Sequence, residues 1–453
     1  MSNRTHEAPA RRRALLALGI NAALALGWQA ATAAPPAVSN CNSSGTGSLA
    51  AAIADPGTGN GATIDLTPLA LVCSRITVAD IAVHQNNLIL QGPGADVLTL
   101  DAQNTARLMH HDGTGTLLIS GLKLANGWFS SDTKPRGGCL YSTGNISLID
   151  AEVSQCVVHG TSATATALGG GIYTQGDLHL LRSTLTGNQA LGDAGVAANG
   201  GGAYANRNFT ALYSTIHGNT AASTVSPGGT VYGAGAGVSA LGNVDIEGST
   251  ISANKADVIG GLFLSGGALH TTTIVNSTIS GNSAKLKFGG IWNNSALTVS
   301  NSTIAFNVSS LGSAEKAAGL YSQRSLSLTS TIIAGNGGKD GANDLDGLPA
   351  AMVTGSDNLV FKSSLPLPMM NNTTGVCPQL DALADNGGPT LTHGLKPGSV
   401  ATEHGSASAS LTTDQRLAPR TAGLEVDIGA FEWRLTDRIS RIYADGFDGL
   451  CDQ

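Results

Sequence analysis

Seven times between residues 137 and 336 the chain repeats one short pattern, and such a pattern can bury itself by stacking. Aligned on one small residue, the copies place Ala151, Ser183, Ser214, Ser249, Ser277, Ser302 and Thr331 in a column, at intervals of 25 to 35 residues. Two residues later every copy is aliphatic: Val153, Leu185, Ile216, Ile251, Ile279, Ile304 and Ile333. Five residues after the column come Cys156, Asn188, Asn219, Asn254, Asn282, Asn307 and Asn336. Eleven residues before it stand Leu140, Ile172, Ala203, Val238, Ile291 and Leu320, and the copy with Leu262 carries four extra residues. Within a copy apolar residues alternate, as at Leu178 and Leu180, which is the period of a strand with one buried face. One copy cannot enclose its own apolar face, whereas copies stacked in register can. The predicted fold is all-β, a right-handed parallel β-helix solenoid with three short strands per coil. Surface loops are expected between each Asn and the next Gly pair.

Composition is compatible with this. A solenoid grows by addition, so 453 residues need no second core. Sixty Gly and 12% charged residues would suit a disordered chain, but 42% hydrophobic residues set in columns do not. The net charge of −7 gives no bulk attraction to nucleic acid or anionic lipid.

Three arginines at 11–13 precede an apolar stretch at 14–26, and Ala31, Thr32 and Ala33 form a small-residue cleavage site. Residues 1–33 are therefore expected to be a signal peptide, with the protein secreted or displayed on the cell surface. No later stretch is apolar enough for a transmembrane helix. The six cysteines, Cys41, Cys73, Cys139, Cys156, Cys377 and Cys451, all follow this leader. An even count in an exported chain predicts disulfides, with Cys41 and Cys73 flanking the cap as the expected pair. The other four leave three connectivities open. The expected organisation is an N-terminal cap at 34–86 with a short helix near 48–54, a β-helix at 87–360, a loop-rich C-terminal module at 361–433 and a tail at 434–453.

Two ends of the chain resemble a known family. The stretch GTGSLAAAIA at 45–54 resembles the cap of the so-called CSLREA proteins, although the expected Arg-Glu is absent. Residues 87–102 and 119–127 resemble the first coils of secreted pectate-lyase-like β-helix proteins. At the other end, residues 344–347, 356–359, 384–393 and 396–399, then Thr413-Asp414-Gln415-Arg416 and 426–432, are similar to the C-terminal module of choice-of-anchor Q proteins. The resemblance implies export, a β-helix and surface display, and supplies no catalytic mechanism. Residues 441–448 resemble a short tail of other exported bacterial proteins, which implies a sorting tag.

Four features are candidates for chemistry. The six stacked Asn residues could hold sugar hydroxyls, but a ladder that satisfies turn backbone groups explains their regularity better. The residue after the aligned apolar position reads Tyr141, Tyr173, Tyr204, Ser239, Phe263, Trp292 and Tyr321. By alternation this aromatic stripe faces outward, either to bind sugar rings or to pack under the variable loops. Asp340, Asp344 and Asp346 could offer oxygen ligands to calcium, without the spacing of an EF-hand. Hydrolysis or elimination needs converging carboxylates. The repeat acids Asp177, Asp193, Asp245, Glu247 and Asp257 do not align, so no catalytic residue is assigned. The reading is a monomeric binding or adhesion protein for polysaccharide or cell-surface glycan, requiring no cofactor. The alternative is a polysaccharide lyase or glycoside hydrolase with a loop-built site.

Overall fold

The computed structural model describes residues 35–193, 195–224, 233–310, 317–338, 341, 343–348, 352–406, 411–434 and 437. The expected signal peptide, Asp340, Cys451 and nearly all of the tail lie outside the described residues.

The chain winds into a parallel β-solenoid, as the repeat requires. Three sheets run along it, with 11, 10 and 12 strands, and successive coils pair in parallel. Antiparallel pairing between strands is confined, among the described residues, to Leu380–Ala384 with Thr392–Leu395. The sequence columns are the registers. Val153, Leu185, Ile216, Ile251, Ile279, Ile304 and Ile333 pair one above another. So do Leu140, Ile172, Ala203, Val238, Leu262, Ile291 and Leu320. All fourteen are fully buried. A one-residue slip would turn a whole row to solvent, so the aliphatic columns specify the register. The four extra residues of the Leu262 copy fall in the turn between Leu262–Leu264 and Thr271–Val275, where Leu269 is exposed and the pairing is undisturbed.

Three expectations need amendment. The stretches after each Asn are not loops throughout. Val157–Gly160, Gln189–Gly192, Thr220–Ser223 and their equivalents form a fourth, eight-stranded sheet. Its signal is a column of small residues, Ala190, Ala221, Ala256 and Ala284, which turn inward and are buried. Three strands per coil is thus too few for most coils. The stack also starts before residue 87: Ala62–Asp65, Arg75–Thr77 and Ile81–Val83 already form a coil within the stretch read as cap. Finally, the stack does not end at residue 360, although most of the C-terminal module adds no coils. After Thr373–Thr374 pairs with Leu359–Val360, the chain turns back along the outside of the stack.

The helix Leu49–Ala54 closes the N-terminal end, burying Leu49, Ala52 and Ile53, with the Ser48 hydroxyl accepting the Ala51 amide at 3.2 Å. Cys41 is bonded to Cys73, with Cα atoms 6.4 Å apart, tying the cap to the first coil. Cys139 is bonded to Cys156, which occupies the first position of the Asn column. No helix among the described residues is long and apolar enough to cross a membrane.

Candidate ligand-binding face

The Asn column forms a closed hydrogen-bond ladder in the wall of the solenoid. Each Nδ2 donates to the Asn Oδ1 of the next coil, as from Asn188 to Asn219 (3.0 Å), Asn219 to Asn254 (2.9 Å), Asn254 to Asn282 (2.8 Å) and Asn282 to Asn307 (2.9 Å). The same nitrogen donates to a carbonyl of the previous coil, such as Ile216 from Asn254. Each Oδ1 also accepts a backbone amide one coil back, as from Asn219 N to Asn254. All six are buried. Side chains so occupied have nothing to offer a ligand.

The ladder ends in a different residue, for a chemical reason. After Asn336 the next rung only has to accept. Asp344 fills it, taking the Asn336 amide (2.7 Å) and Nδ2 (2.8 Å) on one oxygen and the Lys362 amide (3.0 Å) on the other. A carboxylate is acceptor-only, so it fits where Asn would present a surplus donor. Burial outweighs these donors and pushes the Asp344 pKa up to about 6. Asp346 accepts its neighbour Gly347 N at 2.7 Å and the Ser364 hydroxyl. Two of the three calcium candidates are thus engaged in closing the stack. Among the described residues no three His, Cys, Asp or Glu side chains converge as a metal-ligand set.

A second ladder escaped the sequence reading. Asn60 accepts the Asn87 amide (2.7 Å), Asn145 that of Asp177 (2.8 Å), Asp177 that of Asn208 (3.1 Å) and Asn208 that of Asn243 (2.9 Å). Its signal was an Asn or Asp at the entry of several strands of the 11-stranded sheet, as at Asn87, Asp177, Asn208 and Asn243.

The aromatic stripe is in register and faces outward, but its ring faces are taken. Tyr141, Tyr173 and Tyr204 stack coil on coil with centroids 5.6 Å apart and planes within 6° and 14°. Arg136 lies over Tyr173 at 4.8 Å, and Arg107 over Tyr141 at 5.4 Å. Phe263 tilts against Trp292, and Tyr321 against Phe288 from a neighbouring loop. Tyr173 and Tyr321 are buried. Stacking on a sugar needs a free face, and this row presents mainly edges.

The 12-stranded sheet carries a more open outer row. In register it reads Arg75, Thr99, Lys123, Glu152, Thr184, Thr215, Thr250, Thr278, Thr303 and Ile332. From Thr250 onward the C-terminal module covers it completely. Gln415 is the central clamp. Its Nε2 donates to Thr250 Oγ1 (3.0 Å), Thr390 Oγ1 (2.9 Å) and the Leu391 carbonyl (3.0 Å), while its Oε1 accepts Thr278 Oγ1 (2.7 Å). His393 donates from Nδ1 to the Asp381 carbonyl and accepts the Ser280 hydroxyl on Nε2, both at 2.7 Å. Burial holds its pKa down to about 4, so it stays neutral in these roles. Arg416 pairs with Asp414 at 2.8 Å and lies 3.6 Å over Phe431. Arg420 reaches Asn276 at 2.5 Å and Glu432 at 3.7 Å. Burial and the neighbouring Asp427 carboxylate nevertheless raise the Glu432 pKa to about 7. The charged residues of the two C-terminal motifs bond within the module, and buried as they are they cannot meet a ligand; Gln415, His393 and Arg420 fasten the module to the stack.

Upstream of the module the same row lies open in a groove of about 650 Å³. Its rim is Gly94, Ala95 and Asp96; its floor is Thr99, Lys123, Glu152 and Thr184; Asp150 and Arg182 line it further. Lys123 Nζ meets Glu152 Oε1 at 2.9 Å. Arg182 grips Asp150 through Nε and Nη2, both at 2.7 Å, which holds the guanidinium above its ordinary pKa. Asp150 and Arg182 both sit in left-handed turns, φ 48° and 47°, at successive rungs of one corner. Tyr213 occupies the next such corner. Its ring lies against Gly248, where an added Cβ would sit 2.4 Å from Cδ1. That ring marks the boundary between the open groove and the docked module, whose Thr390 hydroxyl binds the Gly248 carbonyl at 2.7 Å. Elsewhere the repeat acids are dispersed: Asp193 pairs with His159 at 2.9 Å, and buried Asp257 takes Lys285 at 2.8 Å.

No family model matches the chain, and no curated protein matches it. Among solved structures, the crystal structure of pectate lyase Pel9A overlaps it with a TM-score of 0.48 and 13% identity, covering 89% of this chain and 98% of that one. The likeness is one of fold and assigns no activity to this chain.

Proposed function

We propose that this is an exported β-helix protein of the choice-of-anchor Q type that binds polysaccharide or cell-surface glycan without cleaving it. The observation that carries the reading is the polar groove at 94–184, left open where the C-terminal module stops. Two of its three carboxylates, those of Asp150 and Glu152, are neutralised by Arg182 and Lys123. Paired groups of this kind keep free lone pairs and N–H groups for hydroxyls while giving up the freedom an acid or nucleophile needs. The groove suits the hydroxyl-rich side of a sugar chain lying along several coils. Disulfides persist in oxidising compartments, and the two found here support export.

The test is affinity electrophoresis of the mature protein through gels containing neutral or uronate-rich polysaccharide, with sugar-end release assayed in parallel. At least one polysaccharide should retard the protein, and Arg182→Gln or Lys123→Gln should weaken retardation about ten-fold, the equivalent of one lost charged hydrogen bond. Retardation by none would sink the binding reading. Asp96 makes no ion pair among the described residues. Release of reducing or unsaturated ends that Asp96→Asn abolishes would establish the enzyme alternative.

A further inference from the structure

The open groove carries charges of both signs, and their arrangement decides what can lie in it. Its lining sets three carboxylates, Asp96, Asp150 and Glu152, against two cations, Lys123 and Arg182, which leaves one negative charge in excess. Both cations are already engaged: Lys123 with Glu152 at 2.9 Å, and Arg182 with the two oxygens of Asp150 at 2.7 Å each. An incoming carboxylate reaches either cation only by displacing its partner. The displaced carboxylate then stands beside the ligand's own charge, with Asp96 on the rim, and like charges in one site repel. A hydroxyl meets no such barrier. It donates to a carboxylate oxygen and accepts from the ammonium or guanidinium without separating the pair. Where the same outer row is covered, it shows which groups it takes. Thr250 bonds the Leu391 carbonyl at 2.6 Å and Gln415 Nε2 at 3.0 Å. Thr278 bonds Gln415 Oε1 at 2.7 Å, and Thr303 accepts the Ala430 amide at 3.1 Å. Each of these partners is uncharged. Thr99 and Thr184 are the members of that row in the groove.

We infer that the groove selects a neutral glycan, one that carries hydroxyls and no carboxylates, and rejects uronates. This specificity rests on the groove being the binding face. From Thr99 through Lys123 and Glu152 to Thr184 the floor crosses three steps between paired strands, about 14 Å, room for a short stretch of sugar chain. The two ion pairs are the selector, so removing their acids inverts the selection. Asp150→Asn with Glu152→Gln keeps the side-chain shapes and frees Arg182 and Lys123. The lining then holds one carboxylate against two cations. None of the four paired side chains is buried, so the change leaves the stack folded.

The experiment is affinity electrophoresis of the full-length exported protein, with each mobility taken relative to a gel without polysaccharide. The gels contain neutral glucan, galactan or mannan, or the uronates polygalacturonate or alginate. At least one neutral polysaccharide should retard the parent, and both uronates should bind about ten-fold more weakly or not at all. The double variant Asp150→Asn, Glu152→Gln should gain about ten-fold in uronate affinity at low salt and lose that gain at high salt. Asp112→Asn with Asp193→Asn makes the same change in net charge on other sheets, at two half-exposed acids, and should gain nothing. A uronate that retards the parent more than every neutral polysaccharide would overturn the neutral class and leave the groove as the binding face. Retardation by none would overturn the binding reading and the specificity with it. A double variant without the gain, or a gain matched by the control pair, would remove the ion pairs as the selector.

Discussion

Replacing Asn254 by Ala removes one rung from the middle of the buried ladder. The side chain makes four hydrogen bonds: Nδ2 to the Ile216 carbonyl (3.0 Å) and to Asn282 Oδ1 (2.8 Å), and Oδ1 from the Asn219 amide and Nδ2 (both 2.9 Å). At a net of about 1 kcal/mol each, the loss is about 4 kcal/mol. It does not fall evenly. Asn219 Nδ2 still has the Leu185 carbonyl, and Asn282 Oδ1 still has the Asn254 amide. The Asn219 amide loses its acceptor inside the wall, where an unpaired donor costs most. Hydrogen exchange is the suitable assay, because long repeat arrays need not unfold in one step. Amides around 216–221 should exchange about 1,000-fold faster, the equivalent of 4 kcal/mol. Asn254→Asp should be as damaging, since it sets acceptors against Asn282 Oδ1 and the Ile216 carbonyl. Asn208→Ala on the outer ladder removes one exposed bond and should cost about 1 kcal/mol or less. Protection in Asn254→Ala within about ten-fold of the parent would refute the ladder as the clamp of the wall.

Gln415→Ala breaks two contacts with the stack, at Thr250 and Thr278, and two within the module, at Thr390 and Leu391, about 3–4 kcal/mol in all, and should make 376–433 the first segment cut by protease; equal resistance would remove Gln415 from its clamping role. Tyr173→Ala should cost about 3 kcal/mol in stability and leave glycan retardation unchanged, whereas lost retardation at full stability would restore the aromatic row as a binding surface. Asp344 titrates near 6 in the fold against 3.8 when unfolded, so its proton is held more tightly by the folded chain. Its ionisation therefore lowers stability by about 3 kcal/mol as pH rises from about 4 to 6. Denaturation at pH 4.5 and 7.5 should show about 2 kcal/mol of that loss in the parent and not in Asp344→Asn; equal slopes would reject the buried carboxylate as its source.

The columns of the repeat determined the parallel solenoid, its register and its inner rows. A pattern that must bury one face of each strand has one alignment that does so, and it can be read from spacing alone. The Asn ladder was legible for the same reason, since stacking brings equivalent residues together. The Ala column of the fourth sheet and the Asn or Asp at the entry of several outer strands were also in the sequence. Both are small or polar residues that carry no hydrophobic signal, so their part in the wall emerged only with the coils in place. What no periodicity contains is the return of the chain onto its own outside. Gln415 lies 165 residues from Thr250, and nothing local in either segment indicates that one covers the other. That docking leaves Asp414, Arg416, Arg420 and Glu432 buried and bonded, closed to any ligand. It also leaves the charged groove at Lys123, Asp150, Glu152 and Arg182 as the open part of the face. Spacing along the chain locates what repeats; which surface remains free depends on where the non-repeating part comes to rest.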